Sequence, residues 1–295
     1  MATGAEIETT FDNPLIPNAR VRQIYLAMMQ VRQLEETLAK QKPRRPGSAA
    51  ALGLEACLVS TSVDLGARDV VIDALAGGVV DFLRGATLES VVRKDGVAKK
   101  RGFKASCGLA AKLPNWPGVE ERLWAALGAA ATLKAQREHA DTGADGNTAD
   151  SGVAVVYTRL GEVTPGLWRR ALTFAAEQDL PVMFVVLPAV GRASAVKAGG
   201  MSAIAHRHGI PGIAVDADDA VAIYRVAQEA LGRARMGGGA VLIECVPFVL
   251  EGARGLHKAS MDAIRGLEHY MLGRRIATRK WMERETKSFV KRIAR

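Results

Sequence analysis

Residues Ala205–Cys245 read AHRHGIPGIAVDADDAVAIYRVAQEALGRARMGGGAVLIEC, and this stretch decides the fold. Gly209 and Pro211 punctuate the chain, and Ile213–Val215 is a short apolar run suited to a strand. Asp219–Met236 carries apolar residues at helical spacing, and Ala240–Val246 (AVLIECV) reads as a strand. Asp216, Asp218 and Asp219 look like a metal cluster when taken alone. Strand-end and helix N-cap duty explains them better, because carboxylates there accept the free N–H groups of a helix start. His206 and His208 are two apart at a predicted helix end and do not share a face, which favours capping or surface roles over metal binding.

Working outward, the same alternation continues upstream. Val153–Tyr157 is apolar, Gly166–Gln178 reads as a helix, Pro181–Leu187 (PVMFVVL) is apolar again, and Gly200–His208 reads as a helix. Continuous apolar runs separated by amphipathic helices predict an α/β fold with a doubly wound, mostly parallel sheet covered on both faces. Nearer the N-terminus, Ile24, Met28, Val31, Leu34 and Leu38 mark one face of a helix over Asn18–Gln41, ended by Pro43, Pro46 and Gly47. A helix over Gly53–Leu65 and a strand at Val70–Ile72 follow. Lys94–Gly118 shows no consistent period, Glu120–His139 is Ala-rich and helical, and Asp141–Gly152 is a polar loop. Two helices, about Ser260–Leu272 and Thr278–Arg292, finish the chain. There is no internal repeat, so the expectation is one domain over 1–295, with a helical arm at about 18–41, a core at about 53–250 and a helical tail at about 260–295.

Composition bounds the function. Of 295 residues, 48% are hydrophobic and 24% charged, as in an ordinary globular chain. No apolar run reaches the ~18 residues of a membrane-spanning helix, and the N-terminus lacks the basic start and apolar block of a secretory signal. Cys57, Cys107 and Cys245 have neither zinc nor redox spacing, which points to buried thiols in the cytosol. The net charge of +9 is uneven, since Arg274–Arg295 holds nine Lys/Arg against two Glu. A second basic run lies at Arg93–Lys104. Such runs either form solvated faces or meet an acidic partner. No nucleic-acid motif accompanies them, and 5% aromatic residues offer little stacking surface, so nucleic acid is not an expected partner.

Several stretches, in order, resemble the alpha subunit of the thiamine-diphosphate-dependent 2-oxo acid dehydrogenase decarboxylating component. His208-Gly209-Ile210-Pro211-Gly212, Val215-Asp216-Ala217-Asp218-Asp219 and Leu242-Ile243-Glu244 match that family's motifs in order and spacing. Asp179–Val186 resembles its Lys-Leu-Pro-Val-Ile-Phe-Val-Val strand. Tyr25–Leu38, with Arg32, Glu35 and Glu36, resembles its opening helix, and Gly53-Leu54-Glu55-Ala56 stands where it has Gly-Gln-Glu-Ala. Phe82-Leu83-Arg84-Gly85 and Asp262-Ala263-Ile264 with Leu267 and Tyr270 are similar to further family segments.

The resemblance implies a cofactor, thiamine diphosphate with magnesium, held at an interface with a beta chain. It implies oxidative decarboxylation of a 2-oxo acid and acyl transfer to a lipoyl carrier. Yet the family's Gly-Asp-Gly falls on Arg159-Leu160-Gly161, its following Asn on Thr164, and its Asn-Asn pair on Pro188-Ala189. A leucine cannot coordinate magnesium. The family's Tyr-Arg-x-His-Gly falls in Ala74–Val79, and the Arg and His of a later motif become Val249 and Ala253. The expectation is therefore an alpha-like subunit that has lost usual cofactor binding and serves a structural or regulatory role, with no catalytic residue assigned. Vestigial cofactor contacts would fall to Arg159, Gly161, Glu162 and His257, while Arg159 and Arg192 either meet an anion or fill the vacated space. The expected partner is a beta-type subunit or a second copy. Alternatives are an active alpha subunit and a binding module whose basic C-terminal helix takes an acidic partner.

Overall fold

A computed structural model of the chain describes residues 16–41, 52–72, 111–112, 118–141, 151–189, 200–247 and 262–293. Helices α1 (Asn18–Gln41) and α2 (Glu55–Ser62) precede strands β1 (Val70–Ile72) and β2 (Ala111–Lys112). Then follow α3 (Val119–Asp141), β3 (Ala154–Arg159), α4 (Pro165–Glu177), β4 (Val182–Leu187) and α5 (Gly200–Arg207). The chain continues through β5 (Gly212–Asp216), α6 (Ala220–Arg235), β6 (Val241–Val246), α7 (Ala263–Gly273) and α8 (Arg279–Ile293). The strands form one sheet in the order β2-β1-β3-β4-β6-β5, and every pairing is parallel.

The sequence explains this layering. Alternate residues of a strand point to opposite faces, so a strand buried on both sides is mostly apolar, as β4 is throughout and β6 is except at Glu244, whose carboxylate accepts the Ser202 N–H at 2.8 Å. Val155, Tyr157, Met183, Val185, Ile243 and Cys245 face the layer formed by α1, α2, α6, α7 and α8. Their neighbours Val156, Val182, Phe184, Val186 and Leu242 face α3, α4 and α5. Trp168 meets Phe184 edge-on, with ring centroids 5.8 Å apart. β5 lies at the sheet edge and is less buried, which is why its sequence is only partly apolar. The helical arm and the tail belong to the same apolar cluster, through Ile24, Met28, Leu267, Met271 and Phe289.

Helix starts follow local chemistry. The Thr164 side chain accepts the Leu167 N–H with Pro165 at the first helical position, and Asp219 accepts the N–H groups of Val221 and Ala222. Asp216 accepts the Asp218 N–H at 3.1 Å, so the acidic trio caps and turns the chain. The two-residue strand β2 falls inside Lys94–Gly118, which showed no strand pattern; two residues are too few to carry a period. The segments holding Ala74–Val79, Arg192, Val249, Ala253 and His257 lie outside the described residues, as does most of Lys94–Gly118.

Candidate functional site

Because the strands are parallel, the last residues of β3 and β4 lie side by side, with Arg159 in register with Leu187. This carboxyl edge is where open α/β sheets bind ligands. The N–H of Leu160 donates to the Leu187 carbonyl at 2.9 Å, and that of Glu162 to the Arg159 carbonyl at 3.0 Å. These bonds fix a tight turn, Arg159-Leu160-Gly161-Glu162. Gly161 adopts φ of 83°, a left-handed conformation that side-chain-bearing residues rarely take, and nothing lies within 4 Å of the position its Cβ would fill.

One carboxylate organises the turn. Glu162 Oε2 accepts the backbone N–H of Arg159 at 2.9 Å, while Oε1 pairs with the Arg122 guanidinium. Arg122 lies in the first turn of α3, and its side chain is only 6% exposed. Arg159 is half-buried; its burial pulls the guanidinium pKa below the ordinary value, and the Glu162 charge opposes that shift. Leu160 turns inward and packs against the α3–α4 side of the core. Thr164 is committed to capping α4, and β4 runs out into Pro188 and Ala189.

The turn thus offers one side-chain carboxylate, with both oxygens engaged. Leu160, Pro188 and Ala189 bring no side-chain oxygen. A hard divalent cation needs several oxygen ligands, and this donor set does not supply them. Among the described residues, no group of three or more His, Cys, Asp and Glu side chains is arranged to hold a metal ion. The structure therefore brings Arg159, Gly161 and Glu162 together in one turn, and His257 lies outside the described residues. His208 Nδ1 contacts the Thr173 hydroxyl at 3.1 Å, linking α4 to the end of α5.

Arg122 was not singled out from sequence. It lies in a helix whose pattern carries no hint of the turn 40 positions later. A second charged cluster was equally hidden. Arg32 donates through Nε to Glu55 at 2.5 Å and through its two terminal nitrogens to Asp262 at 2.8 and 3.0 Å. The fork ties α1 to the starts of α2 and α7, where Asp262 also accepts the Ile264 N–H as N-cap. Hydrogen bonding to Glu55 raises the Arg32 pKa, and hydrogen bonding from Arg32 lowers that of Asp262. This cluster also lies toward the carboxyl edge, since Cys57 in α2 donates to the Ala217 carbonyl just after β5. Cys57 and Cys245 are buried free thiols. They share the core, where a hydrogen bond with Cys245, then burial, raises the Cys57 pKa.

A doubly wound parallel sheet with a charged turn at its carboxyl edge defines an α/β protein of the open-sheet class. Residues 25–262 match the family model described as dehydrogenase E1 component, and the chain belongs to that family. It is 34% identical over 138 residues to the alpha subunit of acetoin:2,6-dichlorophenolindophenol oxidoreductase from Bacillus subtilis, covering 41% of each chain. It is 30% identical over 215 residues to pyruvate dehydrogenase E1 component subunit alpha-3 of Arabidopsis thaliana, covering 65% of this chain and 48% of that one. A 124-residue match at 36% identity links it to the alpha subunit of 3-methyl-2-oxobutanoate dehydrogenase from Mycobacterium tuberculosis, over 39% of this chain and 32% of the relative. The matched regions thus span between 32% and 48% of those relatives' lengths. The chain is a 2-oxo acid dehydrogenase E1 alpha-like protein. Alpha subunits of this family pair with beta subunits and bind thiamine diphosphate with a metal ion. No helix among the described residues is long and apolar enough to cross a membrane.

Proposed function

We propose that this chain is a non-catalytic alpha-type subunit, retained for its fold and its contact with a beta-type chain or a second copy. The observation that carries this reading is the Glu162 carboxylate. It accepts the Arg159 N–H and pairs with Arg122 at the turn that would receive the cofactor's diphosphate. An internal anion has taken the donors that an external anion would need. Leu160, Pro188 and Ala189 supply no metal-binding oxygens beside it. Arg159, Gly161 and Glu162 are then the remains of a cofactor turn, with His257 as a fourth contact. The whole of 1–295 is one domain in this reading, supported by the arm, the sheet face and the tail sharing one apolar cluster. The buried free thiols Cys57 and Cys245 support a reducing, cytosolic setting.

The test is equilibrium titration of the purified chain, alone and with its beta-type partner, with thiamine diphosphate and magnesium. The expected result is no saturable heat up to millimolar cofactor. Micromolar binding by the isolated chain or by the pair would overturn the proposal. A second reading, an active alpha subunit, draws on the open space beside Gly161, where a ligand could approach the backbone. In that case the pair decarboxylates a 2-oxo acid and passes the acyl group to a lipoyl acceptor, which an oxo acid-dependent assay of the pair detects.

A further inference from the structure

On the face of the sheet opposite α3 and α4, the helical tail carries a groove to which nothing above assigns a role. A hollow of about 550 Å³ opens between α1, α7 and α8, with Tyr25, Leu272 and Met282 among its lining and Arg265, Arg279 and Lys287 around it. A second hollow of about 570 Å³ adjoins it along α8, sharing Thr286 and Lys287 and continuing to Val290 and Lys291. From Arg279 to Lys291 the helix rises about 18 Å, so the two hollows form one elongated trough.

Its charge is predominantly positive. Arg265, Arg279, Lys287 and Lys291 are exposed along the trough, and among the described residues no salt bridge engages them. His269 adds a further donor. Two carboxylates share the lining, Glu268 and Glu283. Glu268 accepts the Tyr25 hydroxyl at 3.0 Å, which fixes it in the floor. Arg284, in the lining of the second hollow, pairs with its neighbour Glu285 at 3.0 Å, so that pair is internally neutral. Apolar surface interrupts the cations, since Val290 is 43% exposed and Leu272 is half-buried. An elongated cationic trough with apolar stations fits a segment that alternates carboxylates with apolar side chains. It suits a nucleic acid less well, because Trp281 is turned inward against Tyr25, with centroids 5.9 Å apart, and offers no stacking platform.

We propose that this trough docks an acidic amphipathic segment of a partner protein, its carboxylates meeting Arg279, Lys287 and Lys291 and its apolar residues resting on Leu272 and Val290. The inference stands apart from the state of the cofactor turn and holds whether or not the chain binds thiamine diphosphate. The probe is a fluorescein-labelled synthetic peptide of about 12 residues, about 18 Å long as a helix, built from Glu and Leu in amphipathic order. Controls are an all-Glu peptide and a double-stranded oligonucleotide of matched charge. Fluorescence anisotropy with the full chain should show saturable binding that weakens as salt rises.

Lys287→Glu and Lys291→Glu, both at exposed positions, should each weaken binding at least about tenfold, because like charges would then face each other. Val290→Asp should weaken it for the Glu/Leu peptide more than for the all-Glu peptide. Arg169→Glu, on α4 across the sheet, should leave it unchanged. Equal binding by Lys287→Glu, Lys291→Glu and the parent would overturn the proposal, provided their circular dichroism melts coincide. So would equal affinity for the all-Glu peptide, which would reduce the trough to diffuse charge. Tighter binding of the oligonucleotide would assign the trough to nucleic acid instead.

Discussion

Replacing Glu162 by alanine should destabilise the protein more than replacing its partner, and the difference can be worked from exposure. The Arg122 side chain is 6% exposed and that of Glu162 29%. Removing one member of a buried ion pair costs about 3–5 kcal/mol, because the other charge stays in a poor solvent. Water screens the Glu162 end, so about 2 kcal/mol is the appropriate share of that figure. The lost hydrogen bond from the Arg159 N–H, made to a charged acceptor, adds about 1 kcal/mol. Glu162→Ala should therefore cost about 3 kcal/mol. Arg122→Met leaves Glu162 with access to water and keeps an apolar stem in the same space. It should cost about 1 kcal/mol. The double variant Arg122→Met with Glu162→Leu should be more stable than Glu162→Ala alone.

Urea unfolding, followed by far-ultraviolet circular dichroism, measures all three at an unchanged denaturant slope. There is a second signature. With its own carboxylate gone, the turn exposes the Arg122 guanidinium and the Arg159 N–H to solutes. Inorganic diphosphate should then raise the unfolding midpoint of Glu162→Ala and leave that of the parent where it was. A cost for Glu162→Ala below about 0.5 kcal/mol, the scale of an ordinary surface change, would refute the internal-anion account. So would an equal response of both proteins to diphosphate.

Other perturbations have equally definite outcomes. Gly212→Ala would place a Cβ 2.3 Å from the Ser202 carbonyl oxygen, a backbone atom that cannot swing away. It should cost about 2–3 kcal/mol or more by prying α5 from β5, read as a lower urea midpoint. Phe184→Ala removes a fully buried ring that Trp168 meets edge-on and should cost about 3–5 kcal/mol in the same assay. The pKa of Asp262 lies below its ordinary 3.8 because Arg32 donates to the folded carboxylate. Its contribution is therefore present in full above that ordinary value and is lost as pH falls through the lower, folded one. Asp262→Asn should accordingly lower stability at pH 6 and flatten the loss on acidification below about pH 4, seen in urea midpoints taken across that range.

The carboxyl-edge turn shows where reading from sequence stops. The sequence placed Arg159, Leu160, Gly161 and Glu162 in one strand-to-helix connection, because the apolar run before it and the helical period after it are local patterns. It also left open whether Arg159 meets an anion or fills space. The structure gives a definite arrangement: the Arg159 backbone N–H binds Glu162, and the guanidinium that neutralises Glu162 comes from Arg122. No periodicity couples those two residues, since the contact exists only once α3 and β3 pack. The Arg32 fork to Glu55 and Asp262 is the same kind of fact, with partners 23 and 230 positions away. Cys57 and Cys245, far apart along the chain, likewise meet only in the folded core.

By itself the sequence determined the α/β alternation, the parallel sheet and the capping role of the aspartates around Asp219. Each depends on hydrophobic spacing or on a side chain reaching a backbone N–H a few residues away. It also determined that Leu160, Pro188 and Ala189 bring no metal-binding side chains, because that is a matter of atoms present. Only the tertiary structure decided what occupies the turn and where the tail's cations gather. Charges find partners through space, and separation along the chain does not encode which helix end will come to rest beside which strand.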